Sequence, residues 1–304
     1  MLGRVAELHY LHGFTHQEVA NLLGLSRVQV TRLLARARAE GIVEIRVHSD
    51  EPIFPAEQQA LVARYGLKHA AIAPTYPDHS DTLRSIGTVG AAYLRTVLRP
   101  KMTVAVGLSR TLASIAQQLK TEPTDILFIP AIGSRPAGSS AVNPHQVAEL
   151  FAEAVGGRSL HLPAPLFTST PESAQMISDE PQIKKTLEAA KSASLGLFGL
   201  GGIQPGTGMA MDEFASEPAL EKLFADGVVG DISAAFYDKK GRAVESPITN
   251  RVVGLSLADI MAIPERAAFA GGPDKIDSIA GALAGGIITA LITDQDTAAQ
   301  LLAR

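Results

Sequence analysis

The sequence predicts an α/β protein with two unequal domains: a short, winged-helix-like helix-turn-helix domain at the N-terminus and a larger, Rossmann-like α/β domain. Near the N-terminus, two helix-capping patterns flank a glycine. From Ala56 onwards, short apolar segments alternate with helical patterns, with glycine or proline at the junctions. The chain has 304 residues, 46% of them hydrophobic, which suits two domains better than one. We place the first domain at 1–48, a linker at 49–55 and the second domain at 56–304.

Residues 15–41 predict two short helices joined by a tight turn at Gly24. Each helix begins with a capping box, formed by Thr15 with Glu18 and by Ser26 with Gln29. Apolar residues recur at helical spacing on one face of each helix, namely Val19, Leu22 and Leu23, then Val30, Leu33, Leu34 and Ala37. Together with the small residue Ala20 where the helices would cross, this spacing favours a helix-turn-helix.

The face of the second helix opposite its apolar residues carries side chains that suit DNA. Glutamine can pair with adenine and arginine with guanine through two hydrogen bonds each, while hydroxyls and first-turn N–H groups suit phosphate oxygens. The alternative is an ordinary helical hairpin with a solvated basic face. We predict that operator double-stranded DNA is contacted by Ser26, Arg27, Val28, Gln29, Thr31 and Arg32.

The segments beside this motif complete the first domain. A preceding helix is predicted from Arg4 to His12, ended by Gly13. This helix is expected to close a three-helix core with Val5, Leu8 and Leu11. Residues Ile42–Val47 alternate like a strand and predict a small wing, and Ser49–Pro55 has the two prolines and two acids typical of a linker.

The charge of the chain is divided unevenly between the domains. Residues 1–48 contain six arginines and four glutamates, a net +2, whereas the remainder contains 21 basic and 27 acidic residues, a net −6. Contact with nucleic acid is therefore expected at the N-terminal domain. A net charge of +2 makes this domain only weakly basic. We therefore expect a homo-oligomer that places two copies of the N-terminal domain, the DNA reader, on two half-sites.

The sequence favours a cytoplasmic protein without a membrane contact. It has no cysteine and no run of 18 apolar residues, and it begins with an amphipathic helix rather than a secretory signal. The absence of cysteine is equally compatible with a periplasmic protein.

The larger domain has the pattern of a parallel sheet that helices cover on both faces. Helices are predicted at Gln58–Tyr65, Thr82–Leu98 and Leu112–Leu119. The predicted strands are nearly all apolar, as buried parallel strands are. They are Ala70–Ala73, Thr103–Val106, Ile126–Pro130, Ser159–Leu162, Ser194–Leu200, Val252–Leu255, Ala267–Ala270 and Ile287–Ile292. Sheets of this kind bind ligands at the carboxyl ends of their strands.

Two of these strand ends carry groups that suit an anion. After Thr103–Val106 come Gly107 to Thr111, with two hydroxyls, a guanidinium and the free N–H groups of a helix start. After Ala267–Ala270 come two glycines and Lys275, where backbone can approach a ligand and an ammonium group adds charge. Either segment alone is most often a simple turn, so the prediction depends on both meeting at one sheet edge.

Along nearly its whole length the chain resembles the SorC-type sugar-binding bacterial transcriptional regulators. The matching segments, in order, are FTHQEVANLLGLSRVQVTRLLARARAEGIV, VAVGLSRTL, IGS followed by Asn143 and Pro144, LPAPL, GLGGI, VVGDI and AGGPDKIDSIAGALAGGIITALITD. The resemblance implies a larger domain similar to ribose-phosphate isomerase and glucosamine-phosphate deaminase. It also implies that this domain binds a sugar, polyol or sugar phosphate as effector without transforming it, in a tetrameric regulator.

The resemblance also implies particular effector contacts. Ser109, Arg110 and Thr111 match the family's first phosphate-contacting loop, and Gly272 with Lys275 match the second. Asp231 in VVGDI matches a contact to an effector hydroxyl. The first loop departs from the common GWGRT pattern, because Leu108 and Ser109 replace its Trp and second Gly.

Other interpretations of individual residues remain open from the sequence. Asp231 can serve to close a turn. His145 and His161 lie near predicted loops, but they belong to no metal-ligand spacing, so no metal and no cofactor are predicted. Asn250 and Arg251 precede a predicted strand and can contact a ligand, a neighbouring subunit or a structural partner.

The sequence is compatible with three classes of function. The leading one is a DNA-binding transcriptional regulator of a carbohydrate or polyol operon, controlled by a small-molecule effector. The second is a sugar-phosphate isomerase or deaminase with an added DNA-binding domain, and no acid/base pair can be assigned to it. The third is a constitutive architectural DNA binder, which leaves the polar strand-end loops unexplained.

Overall fold

The computed structural model describes residues 1–43, 53–122, 124–135, 143–202, 223, 225–246 and 248–304. The chain divides into two compact units, Met1–Glu51 and Pro52–Arg304. The predicted wing at 42–47 and linker at 49–55 lie mostly outside the described residues. Within the described ranges, no helix is both long enough and apolar enough to cross a membrane.

The first unit is a small helical domain built around the predicted motif. Helix α1 (Leu2–Ala6) continues into a π-helical turn, Glu7–Leu11, and is followed by α2 (His16–Leu23) and α3 (Arg27–Ala39). Both predicted capping boxes are present, and Gly24 ends α2 with a φ of +66°. The buried core consists of Val5, Ala6, Val19, Ala20, Val30, Leu34 and Ala37.

Two leucines predicted for this core are exposed instead. The side chain of Leu11 is 78% exposed because it lies in the π-turn, where the N–H of His12 bonds to the carbonyl of Glu7 and the helix unwinds. Leu22 is 59% exposed, because at 100° per residue it points away from the direction shared by Val19 and Ala20. The apolar face of α2 is therefore narrower than predicted.

The second unit contains nine α-helices and ten strands within its described ranges. The helices are α4 (Pro55–Tyr65), α5 (His79–Val97), α6 (Arg110–Gln118), α7 (Pro144–Val155), α8 (Pro171–Asp179), α9 (Pro181–Lys191), α10 (Leu257–Ala262), α11 (Ile276–Ala284) and α12 (Gln295–Ala303). The strands are β1 (His69–Ala73), β2 (Thr103–Val106), β3 (Leu127–Pro130), β4 (Arg158–Ser159), β5 (Leu195–Phe198), β6 (Gly201–Gly202), β7 (Val228–Ile232), β8 (Ala235–Asp238), β9 (Glu265–Phe269) and β10 (Ala290–Asp294).

Seven of these strands form one parallel sheet in the order β1-β10-β9-β5-β2-β3-β4. Helices cover both faces, so alternate residues of one strand enter two separate cores: Ala105 belongs to one and Val104 to the other. The chain moves outwards from β2 to β4, returns to β5 and then moves towards the opposite edge. The direction in which the chain adds strands therefore changes between β2 and β5. In open α/β sheets a crevice forms at such a point, outside the carboxyl ends of the strands, and ligands bind there.

The structure corrects the predicted elements in three places. Residues Val252–Leu255 form no strand; Val253 and Leu255 donate hydrogen bonds to the carbonyls of Leu166 and Ala131, so this segment bridges two loops. The strand predicted at Ser159–Leu162 is confined to Arg158–Ser159, and beyond it the chain pairs with the segment after β3 only through an isolated bridge between Pro165 and Ser134. An antiparallel sheet of β6, β7 and β8, which was not predicted, lies in the same unit.

Candidate functional site

The predicted DNA-reading face of α3 is open to solvent. Capping by Ser26 sets the start of the helix, and the burial of Val30, Leu34 and Ala37 fixes which face turns outwards. The side chain of Val28 is 63% exposed. The six predicted contact residues, all exposed, are Ser26, Arg27, Val28, Gln29, Thr31 and Arg32.

Hydrogen bonds within the motif distinguish the roles open to these side chains. Gln29 Oε1 accepts a hydrogen bond from the N–H of Ser26 at 2.8 Å, and Ser26 Oγ accepts one from the N–H of Gln29 at 3.2 Å. Gln29 can therefore pair with adenine through its side chain only after its hydrogen bond to the N–H of Ser26 breaks. The side chain of Arg32 makes no hydrogen bond or ion pair with another described residue. Its guanidinium can therefore turn towards a base without breaking an existing contact.

The first predicted anion loop lies at the carboxyl end of β2. Ser109 Oγ caps α6 by accepting a hydrogen bond from the N–H of Thr111 at 3.1 Å, and this contact directs the helix start into the loop. Arg110 is exposed, whereas Thr111 is buried. The loop packs against its neighbour, because a Cβ on Gly199 would lie 2.6 Å from the Cβ of Ser109.

The second predicted loop lies at the carboxyl end of β9. Gly272 has a φ of +107°, and its N–H donates to Asp294 Oδ2 at 2.9 Å and to Thr297 Oγ1 at 2.8 Å. That N–H is therefore engaged in holding the loop against the end of β10. A short 3-10 helix, Pro273–Lys275, then carries the half-buried Lys275 into α11.

Charges from the separate loops act on one another. Burial lowers the pKa of Lys275, the charges of Asp231 and Asp274 oppose this shift, and the charge of Arg110 reinforces it. Burial raises the pKa of Asp231, whereas the N–H of Ala234 and the charge of Lys275 lower it. The structure thus brings together Arg110 after β2, Asp231 on β7 and Lys275 after β9.

Asp231 also closes the turn between β7 and β8. Its Oδ2 accepts a hydrogen bond from the N–H of Ala234 at 3.0 Å, so the turn-closing role considered from the sequence is real. Ser233 and Ala234 both have positive φ, the two-residue hairpin geometry that glycine usually occupies. Holding two other residues there costs about 1–3 kcal/mol each. Asp231 therefore connects a strained turn to the charge of Lys275.

The same turn contains Ser233, which sequence reasoning missed. Its side chain is 3% exposed, and its Oγ is without a hydrogen-bond partner in the described part of the chain. This oxygen lies against the first loop, 2.5 Å from where a Cβ on Gly107 would be. This buried hydroxyl beside the predicted anion loop could only have been found once the hairpin was placed.

A cavity of about 550 Å³ lies beyond the ends of β3 and β4. Its lining includes Ser134, Arg135 and His161 together with the apolar segment 162–167. Arg135 is 6% exposed and was not singled out from the sequence, although IGSR follows a predicted strand just as GLSR does. The cavity extends the polar edge of the sheet beyond the two predicted loops.

Two histidines near this cavity contact each other. The rings of His145 and His161 lie 4.8 Å apart, His145 Nδ1 is 3.0 Å from Ser134 Oγ, and His161 Nδ1 is 3.6 Å from Glu149 Oε1. Burial lowers the pKa of His145. No three His, Asp or Glu side chains in the described ranges are placed to hold a metal ion.

Arg251, for which several roles were open, acts as a structural contact. Its Nε donates to the carbonyl of Thr168 at 2.5 Å. The N–H of Thr168 in turn donates to the carbonyl of Arg251 at 2.9 Å. These bonds join the loop after β4 to the segment before α10.

A DNA-reading helix in one unit and a polar strand-end site in the other define a ligand-responsive transcriptional regulator. Residues 55–303 match the family described as a sugar-binding domain, and residues 5–54 match a Crp-like helix-turn-helix domain. The chain belongs to this family of SorC-type transcriptional regulators. It is a regulator and not an enzyme of the isomerase or deaminase class.

Similar proteins agree with this assignment. The chain is 30% identical to the transcriptional regulator LsrR of Escherichia coli K12, covering 99% of this chain and 94% of that protein. It is also 30% identical to the deoxyribonucleoside regulator of Bacillus subtilis, covering 98% and 95%. The full-length sorbitol operon regulator SorC of Klebsiella pneumoniae superposes with a TM-score of 0.79 at 26% identity, covering 99% and 97%.

Proposed function

We propose that this cytoplasmic regulator controls a carbohydrate or polyol catabolic operon by binding a sugar, a polyol or a sugar phosphate at the carboxyl edge of its parallel sheet. The observation that carries the proposal is that Lys275, after β9, experiences the charges of both Arg110, after β2, and Asp231, on β7, whose turn packs against the first loop through Ser233. Two cations beside a carboxylate suit a ligand that has both an anionic group and hydroxyls.

Each part of the candidate site has a distinct role in this proposal. The phosphate of a sugar phosphate would contact the N-terminus of α6 at Ser109, Arg110 and Thr111, where N–H groups and the helix dipole favour an anion. Lys275 adds a point charge from the loop that Gly272 shapes. Asp231 accepts hydrogen bonds from ligand hydroxyls. A neutral sugar or polyol would use the hydroxyl, amide and carboxylate contacts alone.

The DNA contact is assigned to the exposed face of α3. Arg27 and Arg32 supply charge and base contacts, Val28 and Gln29 face the groove, and Ser26 and Thr31 contact phosphates. A weakly basic reader gains affinity when two copies engage two half-sites, so we propose that the regulator acts as a homo-oligomer, a tetramer as in the resemblance. The effector shifts DNA binding only if its affinity differs between the DNA-competent and DNA-incompetent states.

A thermal-shift screen of sugars, polyols and their phosphates tests the effector class. A ligand at 100 times its dissociation constant stabilises the folded protein by about 2.7 kcal/mol, which such a screen detects. A screen in which neither sugars nor their phosphates shift the unfolding temperature would contradict the proposed class.

Isothermal titration of variants with the ligand so found then tests the site. If the ligand is phosphorylated, Arg110→Ala or Lys275→Ala should weaken binding about 10- to 150-fold, because each removes a charge-assisted contact of about 1.5–3 kcal/mol. If the ligand is uncharged, Asp231→Ala should weaken its binding more than Lys275→Ala does. Arg158→Ala is the matched control, since Arg158 begins β4 at the amino end of the sheet. Wild-type affinity in all three site variants would place the ligand elsewhere.

A further inference from the structure

A histidine of the first unit contacts the predicted phosphate-binding hydroxyl of the recognition helix. His16 is the first residue of α2, and its Nδ1 lies 3.2 Å from Thr31 Oγ1 on α3. Thr31 Oγ1 is also 3.1 Å from the carbonyl oxygen of Arg27, one helical turn earlier. The imidazole of His16 and the carbonyl of Arg27 therefore both lie within hydrogen-bond distance of the Thr31 hydroxyl.

The protonation state of His16 decides where the proton of that hydroxyl points. Thr31 has one O–H donor. In the neutral tautomer that carries its proton on Nε2, His16 Nδ1 can only accept, and it competes with Arg27 O for the Thr31 proton, whereas the charged imidazolium carries a proton on Nδ1 in every case. If Nδ1 is protonated, it donates to Thr31 Oγ1, so the hydroxyl proton is shared only between Arg27 O and an incoming phosphate oxygen. Protonation thus removes one acceptor that would compete with the DNA.

Other charged and titratable groups lie on α2 itself and on the two elements that pack against it, the π-turn and α3. From the π-turn, the ring of His9 lies 4.8 Å from His16, and His9 Nδ1 is 2.8 Å from the carbonyl of Phe14, so that nitrogen carries a proton. The other groups on the π-turn are Glu7, Tyr10 and His12; α2 contributes Glu18 and α3 contributes Arg27. Glu18 is engaged by the N–H and the hydroxyl of Thr15, both at 2.8 Å.

We propose that His16 is a positioning residue of the DNA reader: by donating to Thr31 Oγ1 when protonated, it directs the Thr31 hydroxyl towards a DNA phosphate and makes DNA binding tighter at lower pH. The proposal rests on the assignment of Thr31 as a DNA contact. The added positive charge acts in the same direction.

The test measures DNA affinity by fluorescence anisotropy with the full chain at pH 6 and pH 8 and constant salt. The probe is a fluorescein-labelled 40-bp duplex that the chain has selected from a random-sequence pool. The wild-type protein should bind the duplex at least about 5-fold more tightly at pH 6 than at pH 8. His16→Ala should lose this difference. His16→Asn, which can donate from its amide at either pH, should bind with little dependence on pH.

Two further variants separate the inference from the proposed DNA contact. Thr31→Val removes the hydroxyl at nearly constant shape and should weaken binding at both pH values. His12→Ala is the matched control and should keep the wild-type pH dependence, since His12 is exposed and lies 3.9 Å from Glu7. Thermal unfolding at both pH values confirms that each variant is folded.

The outcomes decide between the two claims. If His16→Ala retains the full pH dependence while Thr31→Val binds weakly, the positioning role of His16 is wrong and the DNA contact stands. If His9→Gln abolishes the pH dependence while His16→Ala keeps it, the dependence belongs to His9 and the role of His16 is wrong. If Thr31→Val binds like wild type, the DNA contact itself fails, and with it the inference.

Discussion

Replacing Lys275 by methionine should destabilise the larger unit in a pH-dependent manner. Asp231 is 4% exposed, and burial raises its pKa, while the N–H of Ala234 and the charge of Lys275 oppose that shift. Lys275 acts on Asp231 as a nearby charge, and removing one member of a buried charge pair costs about 3–5 kcal/mol. Because Lys275 is only half-buried and the Ala234 hydrogen bond remains, we expect the lower end, about 3 kcal/mol at pH 7.

The sign of the pH effect follows from the raised pKa of Asp231. An acid whose pKa is higher in the folded state favours folding when protonated, and this advantage is lost as pH rises through the folded pKa. Lys275→Met removes a charge that lowers this pKa, so it raises the pKa further. The cost of the substitution should therefore be largest near neutral pH and should shrink as pH falls towards 3.8, the ordinary pKa of aspartate.

Thermal unfolding at fixed protein concentration measures this effect. For a domain of this size about 3 kcal/mol corresponds to a decrease of about 6–12 °C at pH 7. The double variant Asp231→Asn/Lys275→Met should recover most of the loss, because the amide oxygen still accepts from Ala234 without a charge. Lys239→Met, at an exposed position, is the matched control. A Lys275→Met effect equal to that control, or constant from pH 4.5 to 8, would refute the proposed charge coupling between Lys275 and Asp231.

Three further outcomes are expected. Arg32→Ala should weaken operator binding by about 1–3 kcal/mol in gel shifts and leave effector binding unchanged, since Arg32 is exposed; a wild-type shift would remove it from the interface. Gly201→Ala should destabilise by about 1–3 kcal/mol in urea unfolding, because its Cβ would lie 1.9 Å from Asp231 Oδ1; unchanged stability would show that Asp231 can move freely. The fragment 53–304 should form an oligomer, as measured by its mass in light scattering. The mass of a single protomer would contradict the argument that two linked DNA readers compensate for the weak DNA binding of one.

Local patterns in the sequence were sufficient to predict the reader. A capping box and an apolar repeat act within a few residues, so both boxes, the Gly24 turn and the outward face of α3 are confirmed. The exposure of Leu11 depended on a π-turn, and that of Leu22 on a narrow apolar face. Neither signal is visible in hydrophobicity alone.

The candidate site was predicted only in part, because its members meet through sheet topology. The loops at Ser109 and Lys275 follow strands that sequence reasoning identified, and parallel strands bring their carboxyl ends to one edge. The β7–β8 hairpin was missed, although its turn holds Asp231 and Ser233. Two non-glycine residues with positive φ give no turn signal in the sequence. The cavity beside Arg135 required the positions of several loops at once.

The central claim, that a ligand at the sheet edge controls DNA binding by α3, is tested most directly by one titration. The effector identified by thermal shift is added to the complex of full-length protein and selected duplex, and anisotropy is recorded for wild type and Arg110→Ala. If the effector is phosphorylated, wild type should change its DNA affinity at effector concentrations near the dissociation constant, and Arg110→Ala should need about 10- to 150-fold more effector for the same change. If the effector is uncharged, Asp231→Ala takes the place of Arg110→Ala. An identical response from wild type and the site variant, or a bound effector that leaves DNA affinity unchanged, would contradict the claim.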